Sequence, residues 1–388
     1  MTPLEGVRIL DLSRILAGPW CTQLLADLGA DVLKIEHPEG GDDTRHWGPP
    51  WLKDGAGRDS RESAYFLACN RGKRSLTLDF TQPEGRARLL ELAARADVLV
   101  ENYKVGGLAK YGLDYASLSA RFPGLVYCSI TGYGQTGPYA HRAGYDAAIQ
   151  ALGGLMSLTG ERDDRPGGGP QKVGVAVADL MAGMYAATTI LAALRHRDRS
   201  GEGQHLDVSL LDCQVAWLAN QASNYLIGGQ VPGREGSAHP NIVPYQRFAT
   251  ADGFLMLAVG NDGQFARFAT LAGHPEWATD PRYASNPARV AQREQLLPMV
   301  AGVLAARTTA EWLTGLEAVG VPAAPINDLA QVFDDPQVQA RGLCVEVAHP
   351  NGGVVRMVRH PVRWSRTPPR AAVAPPTLGS AELPGWED

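Results

Sequence analysis

Apolar strands and helices alternate through the first 130 residues, and that order leaves few folds open. Val7–Asp11 reads as a short strand, Gly18-Pro19 opens a helix that closes at Gly29, and Asp31–Glu36 reads as the next strand. Pro83–Ala96 reads as a helix, followed by strands at Asp97–Glu101 and Leu125–Ile130. Strand, helix and strand in succession call for right-handed crossovers, hence a mostly parallel sheet covered by helices. The predicted class is α/β, with a large Rossmann-like domain. In such sheets ligands gather beyond the carboxyl ends of the strands. The segments at those ends are Ser13–Ala17, His37, Asn102-Tyr103-Lys104 and Thr131-Gly132-Tyr133.

A second region starts near residue 225. Phe248–Thr250 and Phe254–Val259 flank Ala251-Asp252-Gly253, a hairpin signal, and helical patterns follow at Gln264–Ala272 and Ala310–Val319, the latter capped by Thr308 or Thr309. The expected organisation is a large domain over residues 1–224, a smaller α/β domain over 225–325, and a return to the large domain with a tail over 326–388. From Thr367 the tail is Pro-rich and reads as extended.

A net charge of −5 argues against a general nucleic-acid binder while leaving room for a local basic pocket. No uncharged apolar run reaches the roughly 18 residues of a membrane span, and the opening residues, with Glu5, do not resemble a secretory signal. The five cysteines, Cys21, Cys69, Cys128, Cys213 and Cys344, stand far apart with no Cys-x-x-Cys spacing. That pattern fits reduced thiols in a cytoplasm rather than disulfides or a zinc site. No metal, no nucleic acid and no membrane are therefore expected.

The most informative single residue is Asp179, the only acid in the apolar, small-residue run Val173–Met184. Residues 180–194 are apolar or small on nearly every face, which reads as a buried helix. An acid at the mouth of such a helix has free N–H groups and the positive end of the dipole beside it. On this reading it stays ionised, partly desolvated and able to act as a nucleophile. A plain N-cap aspartate accounts for the same pattern.

Other motifs carry less. Gly132-Tyr-Gly134-Gln-Thr-Gly137 matches G-x-G-x-x-G, yet Pro138 follows at once and no strand ending in an acid lies twenty residues on. It reads as a tight loop beside a pocket. Asn70–Arg74 is a basic turn that is either solvated or turned toward phosphates. Arg14, Lys104, Lys110 and Arg142 make sense together if the ligand is anionic.

Taken in order, these residues resemble the class III CoA-transferases, also called the formyl-CoA transferase/carnitine CoA-transferase family, over about residues 4–379. The signatures are Leu4–Asp11, Ala17-Gly-Pro19, Asp27–Asp31, Lys34-Ile-Glu36, Asn70–Ser75, Val100-Glu-Asn102, Gly132-Tyr-Gly134, Gly144-Tyr-Asp146, Ala178-Asp179, Gly201–Gln204, Val259–Asp262 and Gly320-Val-Pro322. Within the family, Gly41–Arg45, Ser129–Pro138, Asn224–Gly228 and Ile242–Gln246 are similar to the succinyl-CoA:glutarate CoA-transferase branch.

The resemblance implies an interlocked homodimer that moves coenzyme A from an acyl-CoA donor to a carboxylic acid acceptor, with Asp179 as nucleophile and no permanently bound cofactor. It implies coenzyme A contacts at Arg14, Leu16, Ala17, His37, Arg71, Lys73, Arg74, Asn102, Tyr103, Lys110, Arg142, Tyr145 and Asp146. Where the family often has arginine this chain has His37, and the closing segment Leu378–Asp388 departs from the family's usual ending. The preferred pair is succinyl-CoA with a C5 or C6 dicarboxylate such as glutarate, whose distal end needs a cation. Arg45, Arg142, Arg234 and Arg247 are the candidates. The alternative is a racemase of α-methylacyl-CoA esters on the same fold. That chemistry requires an acid and a base on opposite sides of the α-carbon, and the branch uses histidine where this chain has Tyr145.

Overall fold

A computed structural model describes residues 1–382 and 386. The chain divides into two compact units, one made of residues 1–155, 172–230 and 336–388, the other of 156–171 and 231–335. The division shifts the expected bounds of the smaller domain from 225–325 to 231–335 and differs most in the segment 156–171, which the sequence placed within the first domain. It joins the second unit because Arg162 pairs with Glu294 at 2.9 Å and Arg234 pairs with Asp163. No periodic pattern announces such polar ties.

The first unit is built on six strands: β1 (Arg8–Asp11), β2 (Asp31–Glu36), β3 (Arg74–Thr77), β4 (Val98–Glu101), β5 (Val126–Thr131) and β6 (His205–Ser209). They pair in the order β3-β2-β1-β4-β5-β6, every pair parallel. Strand order therefore reverses between β1 and β4, which opens a crevice at their carboxyl ends. Side chains alternate across the sheet. Ile9, Val32, Val98, Val100, Val126 and Cys128 face one core, while Leu10, Leu33, Leu99 and Tyr127 face another.

The first core is covered by α1 (Ala17–Asp27) and by α4 (Val177–Ser200), which follows α2 (Pro83–Ala93) and α3 (Asp146–Leu152) in the chain. By length and composition α4 would pass for a membrane-crossing helix. It is not buried all round, as its sequence implied. Ala182, Gly183, Ala186, Ala187, Ile190 and Leu194 are buried, whereas Met184 and Tyr185 are exposed. The small residues let α1 approach closely, since a Cβ on Gly183 would meet the Ala17 carbonyl at 2.6 Å.

Two hairpins escaped the sequence reading. Trp51–Lys53 with Asp59–Ser63 precedes a short helix, Ala64–Cys69, and Cys344–Ala348 pairs with Val354–Val358. The tail beyond 367 is extended and pinned, with Arg370 N–H donating to Asp27 O and Ala381 N–H to Ser75 O. Residues 383–385 and 387–388 of the atypical closing segment lie outside the described residues.

In the second unit β7 (Tyr245–Ala249) and β8 (Phe254–Ala258) form the predicted hairpin, joined by β9 (Ala323–Pro325). Its core gathers Phe265 and Phe268 from α5 (Asp262–Leu271), Leu296 and Val300 from α6 (Arg293–Leu304), and Trp312 and Leu316 from α7 (Thr309–Ala318). Thr308 and Glu311 close a reciprocal capping box at the start of α7. Pro298 inside α6 hid that helix from a pattern reading.

Candidate active site

Where strand order reverses, a cavity of about 420 Å³ opens. Its walls are Arg14–Ala17 after β1, Asn102–Lys104 after β4, Thr131-Gly132 at the end of β5, and Arg142–Tyr145, with Asp179 reaching it from α4. Gly132 and Gly144 pass so closely that a Cβ on either would lie 2.4–2.5 Å from the other's Cα. The glycine-rich loop is thus a place of backbone approach beside the cavity.

The loop after β1 is held under strain. Ile15 has φ +72°, a left-handed conformation that a β-branched residue avoids at a cost on the order of 1–3 kcal/mol. Four groups impose it. Asn102 grips both sides of Arg14, its Oδ1 accepting the Arg14 N–H at 2.9 Å and its Nδ2 donating to the Arg14 carbonyl at 2.7 Å. Asp42 accepts the Ile15 N–H at 3.2 Å, and Lys34 donates to the Ser13 carbonyl at 2.7 Å while pairing with Asp42 at 2.9 Å. Beneath them Asp11 accepts from Ser13 and Thr22 and pairs with Lys73 at 3.0 Å. Burial alone would raise the Asp11 pKa, but Lys73 and Lys34 outweigh it and hold the carboxyl at about 2. This strand end is a fixed charged scaffold.

Asp179 sits in the first turn of α4, whose N-cap, Ala176, supplies no side-chain bond. Asp146, at the start of α3, accepts the Ala178 N–H at 2.8 Å through Oδ1 and the Gln150 side chain at 2.7 Å through Oδ2. One of the helix donors expected to support Asp179 is therefore already taken. Burial, then the charge of Asp146, push the Asp179 carboxyl up to about 7. The sequence reading had it firmly ionised by the helix end; desolvation wins instead. A carboxylate of this kind is more basic and less hydrated than an ordinary one.

The family model for CoA-transferase family III matches residues 4–382. The chain belongs to CoA-transferase family III. Succinate--glutarate CoA-transferase of Agrobacterium fabrum is 53% identical over 97% of this chain and 93% of its own length. Succinyl-CoA:glutarate CoA-transferase of Homo sapiens is 44% identical over 97% of this chain and 84% of its own. The crystal structure of a CAIB/BAIF family protein from Brucella suis matches with TM-score 0.85 and 51% identity, covering 98% of this chain and 97% of that one.

In this CoA-transferase the residues singled out in the sequence divide into two sets. Arg14, Leu16, Ala17, Asn102, Tyr103, Arg142, Tyr145 and Asp179 line the one cavity. His37 lines a smaller neighbouring cavity of about 240 Å³, which shares Arg14 and Tyr103 with the first. Asp146 stands behind Asp179 rather than in the wall.

The basic turn is placed differently from expectation. Arg71 is buried against Asp27 and the Val358 carbonyl, Lys73 against Asp11, and Arg74 pairs with Asp31 at 2.8 Å. Arg71 and Lys73 are spent on buried acids, Arg74 is paired at the surface, and none of the three lines either cavity. Lys110 is exposed and lies over the Tyr111 ring at 4.8 Å, outside both cavities. Among the candidates for a distal carboxylate, Arg45 is buried between Glu36 at 2.7 Å and Glu62 at 3.2 Å. Arg234 is paired with Asp163, and Arg247 lies over Phe254 at 4.8 Å, both in the second unit. Arg142 alone of the four lines the cavity, its guanidinium 3.9 Å above the Tyr139 ring.

Sequence reasoning missed Leu78–Thr81, which lines the His37 cavity, and Tyr65, whose hydroxyl is pushed up to about 12 by burial and then by Asp179. Trp47 packs edge-on against Tyr65 at 5.1 Å. The turn signal Asp79–Gln82 before α2 could have located the first. Tyr65 gave none, because it sits on the short helix Ala64–Cys69, which no periodic pattern announces.

Proposed function

We propose that this enzyme transfers coenzyme A from succinyl-CoA to a C5 or C6 dicarboxylate such as glutarate, through a thioester formed on Asp179. The observation that carries the reading is Asp179 itself, a half-buried carboxyl raised to about 7 in the wall of the cavity at the topological switch point. The acceptor class rests on relatives bearing glutarate in their names and on Arg142 in the same wall.

The Asp179 carboxylate attacks the donor's thioester carbonyl. The C–S bond breaks, the thiolate leaves, and a mixed anhydride joins Asp179 to the donor acyl group. The thiolate then attacks the aspartyl carbonyl, giving the enzyme thioester and releasing the donor as a carboxylate. The acceptor carboxylate attacks that thioester to form a second anhydride and free the thiolate once more. Attack of the thiolate on the acceptor's carbonyl yields the new acyl-CoA and restores Asp179. Each nucleophile is already an anion, so no general base is required. Lys104 and Arg142 supply positive charge for an anionic ligand, Arg14 can add to it only by exchanging its exposed pair with Asp43 at 3.0 Å, and the smaller cavity at His37 extends the site.

We further propose a cytoplasmic homodimer that needs no permanently bound cofactor; light scattering of the purified enzyme tests the oligomeric state. Mixing the enzyme with succinyl-CoA and glutarate should give glutaryl-CoA by mass spectrometry, and hydroxylamine trapping with donor alone should label the peptide holding Asp179. No glutaryl-CoA across a range of protein concentrations, or label elsewhere, would overturn the reading. In deuterated water a chiral 2-methylacyl-CoA should take up no deuterium at the α-carbon, since Tyr145 stands where a racemase of this fold has its histidine.

A further inference from the structure

Below the Asn102-Tyr103 wall lies a separate cavity of about 300 Å³ with a buried acid in it. Glu101 ends β4 and is 5% exposed. Val100 packs under α4, so Glu101, by alternation, points to the other side of the sheet. There it pairs in register with Ser129 on β5, whose hydroxyl bonds to it, and its Oε2 accepts the Tyr103 N–H at 2.8 Å. Ser129 Oγ also lies 2.9 Å from His205 Nε2 on β6, and the His205 ring is half-buried, stacked on Tyr115 at 4.8 Å. Nothing in the transfer reaction uses these three groups. Yet the bond to Tyr103 N–H turns the chain so that Asn102 grips Arg14 and the Tyr103 ring lies under the Arg14 guanidinium at 5.2 Å.

We propose that Glu101, Ser129 and His205 are positioning residues, a proton-sharing chain that sets the Asn102-Tyr103 wall and couples coenzyme A affinity to pH. The inference rests on the functional reading above. With Glu101 ionised, His205 Nε2–H donates to Ser129 Oγ, the Ser129 hydroxyl donates to the carboxylate, and the carboxylate holds the Tyr103 N–H as a charged acceptor. With Glu101 protonated the order reverses. Its O–H donates to Ser129, the Ser129 hydroxyl donates to a bare His205 Nε2, and the imidazole proton sits on Nδ1. One net proton enters from solvent, and the Tyr103 N–H keeps only a weaker, neutral acceptor.

The surroundings place this change near neutral pH. Burial pushes the Glu101 carboxyl up to about 7 against the bonds from Ser129 and Tyr103, and no cation offsets it among the described residues. Burial pulls His205 down, against Asp207, so its ring is neutral at that pH. The remaining titratable groups facing the cavity are Lys104, Asp114, Tyr115 and Tyr127. Burial raises Tyr127 far above the usual tyrosine range, and Glu101 adds to that, so it does not titrate here.

Calorimetric titration of the full chain with free coenzyme A between pH 6 and 8.5, in two buffers of different ionisation enthalpy, tests the coupling. Affinity of the parent should weaken about fivefold toward pH 6, relative to Glu101→Gln, as a charged acceptor becomes neutral. Titration of the ligand itself is common to both proteins and cancels in that ratio. Binding near pH 7 should release protons from the parent and fewer from Glu101→Gln, because linkage is reciprocal. Ser129→Ala removes a bond that favours the ionised acid, so it should move the midpoint to higher pH. In turnover the effect should fall on KM for the donor rather than on kcat. Equal proton release in the parent and Glu101→Gln, or an unmoved midpoint in Ser129→Ala, overturns this inference alone. A protein that binds no coenzyme A at any pH overturns the functional reading and this inference with it.

Discussion

Asp146 and Asp179 are linked through one backbone group: Asp146 Oδ1 takes the Ala178 N–H at 2.8 Å, which sets its negative charge beside the neighbouring Asp179. The helix end that supports an acid in most proteins is here shared with a second acid. Burial and then that charge keep the Asp179 carboxyl near 7. A group poised there is ionised often enough to attack and basic enough to be a strong carboxylate nucleophile.

The first prediction concerns pH. Only the ionised Asp179 attacks, so kcat should fall tenfold per unit as pH drops below about 7. Asp146→Asn removes the like charge but keeps an oxygen for the Ala178 N–H. Its acid limb should therefore move to lower pH. A limb that stays in place would mean that Asp146 does not act on Asp179.

Removing the nucleophile should separate activity from stability. Asp179→Ala should lower kcat by on the order of 10⁴-fold or more, as in other enzymes stripped of a covalent nucleophile. Asp179→Asn should melt higher than the parent at pH 8, with the difference shrinking toward pH 5. The raised carboxyl binds its proton more tightly in the folded than in the unfolded chain. Stability from this group is therefore full at low pH and is lost as pH rises from the ordinary aspartate value of 3.8 through about 7. Melting curves of both proteins at the two pH values test it.

The sheet was legible because strand and helix periods differ and each strand end carries a polar residue. β1, β2, β4 and β5 fell within a residue or two of their sequence ranges, and Arg14–Ala17, Asn102 and Tyr103 followed from strand ends alone. Asp179 stood out as a lone acid in an apolar run. What stayed hidden is set by pairing over distance. The sequence shows Arg71, Lys73 and Arg74 as a basic run, but Asp27, Asp11 and Asp31 that neutralise them lie 43 or more positions earlier. Arg45 is silenced in the same way by Glu36 and Glu62. The segment 156–171 was misassigned because ion pairs, not apolar spacing, attach it to the second unit.

Arg142 should set the acceptor's length and charge. Its guanidinium stacks on Tyr139 at 3.9 Å and lines the cavity that holds Asp179. Arg142→Gln should lower kcat/KM for glutarate while leaving that for valerate near the parent's. The gap closed should be about 1.5–3 kcal/mol, the worth of a hydrogen bond to a charged group, since Arg142 is itself exposed. Equal losses on both acids would assign Arg142 to the coenzyme rather than to the acceptor.

Asn102 should matter through geometry rather than chemistry. Its amide holds Arg14 by both backbone groups, at 2.9 and 2.7 Å, and so helps keep Ile15 at φ +72°. Asn102→Ala removes both bonds at once, while Asp42 and Lys34 retain only the far side of the loop. Ile15 then has on the order of 1–3 kcal/mol to gain by leaving the left-handed region. Its departure would move Leu16 and Ala17, which line the cavity at the start of α1. KM for the acyl-CoA should rise by about 10- to 100-fold, the range those energies allow. The melting temperature should hold or rise slightly, because strain is released as the bonds are lost. A lower melting temperature with an unchanged KM would make Asn102 a prop of the fold and leave the strained loop without a role in binding.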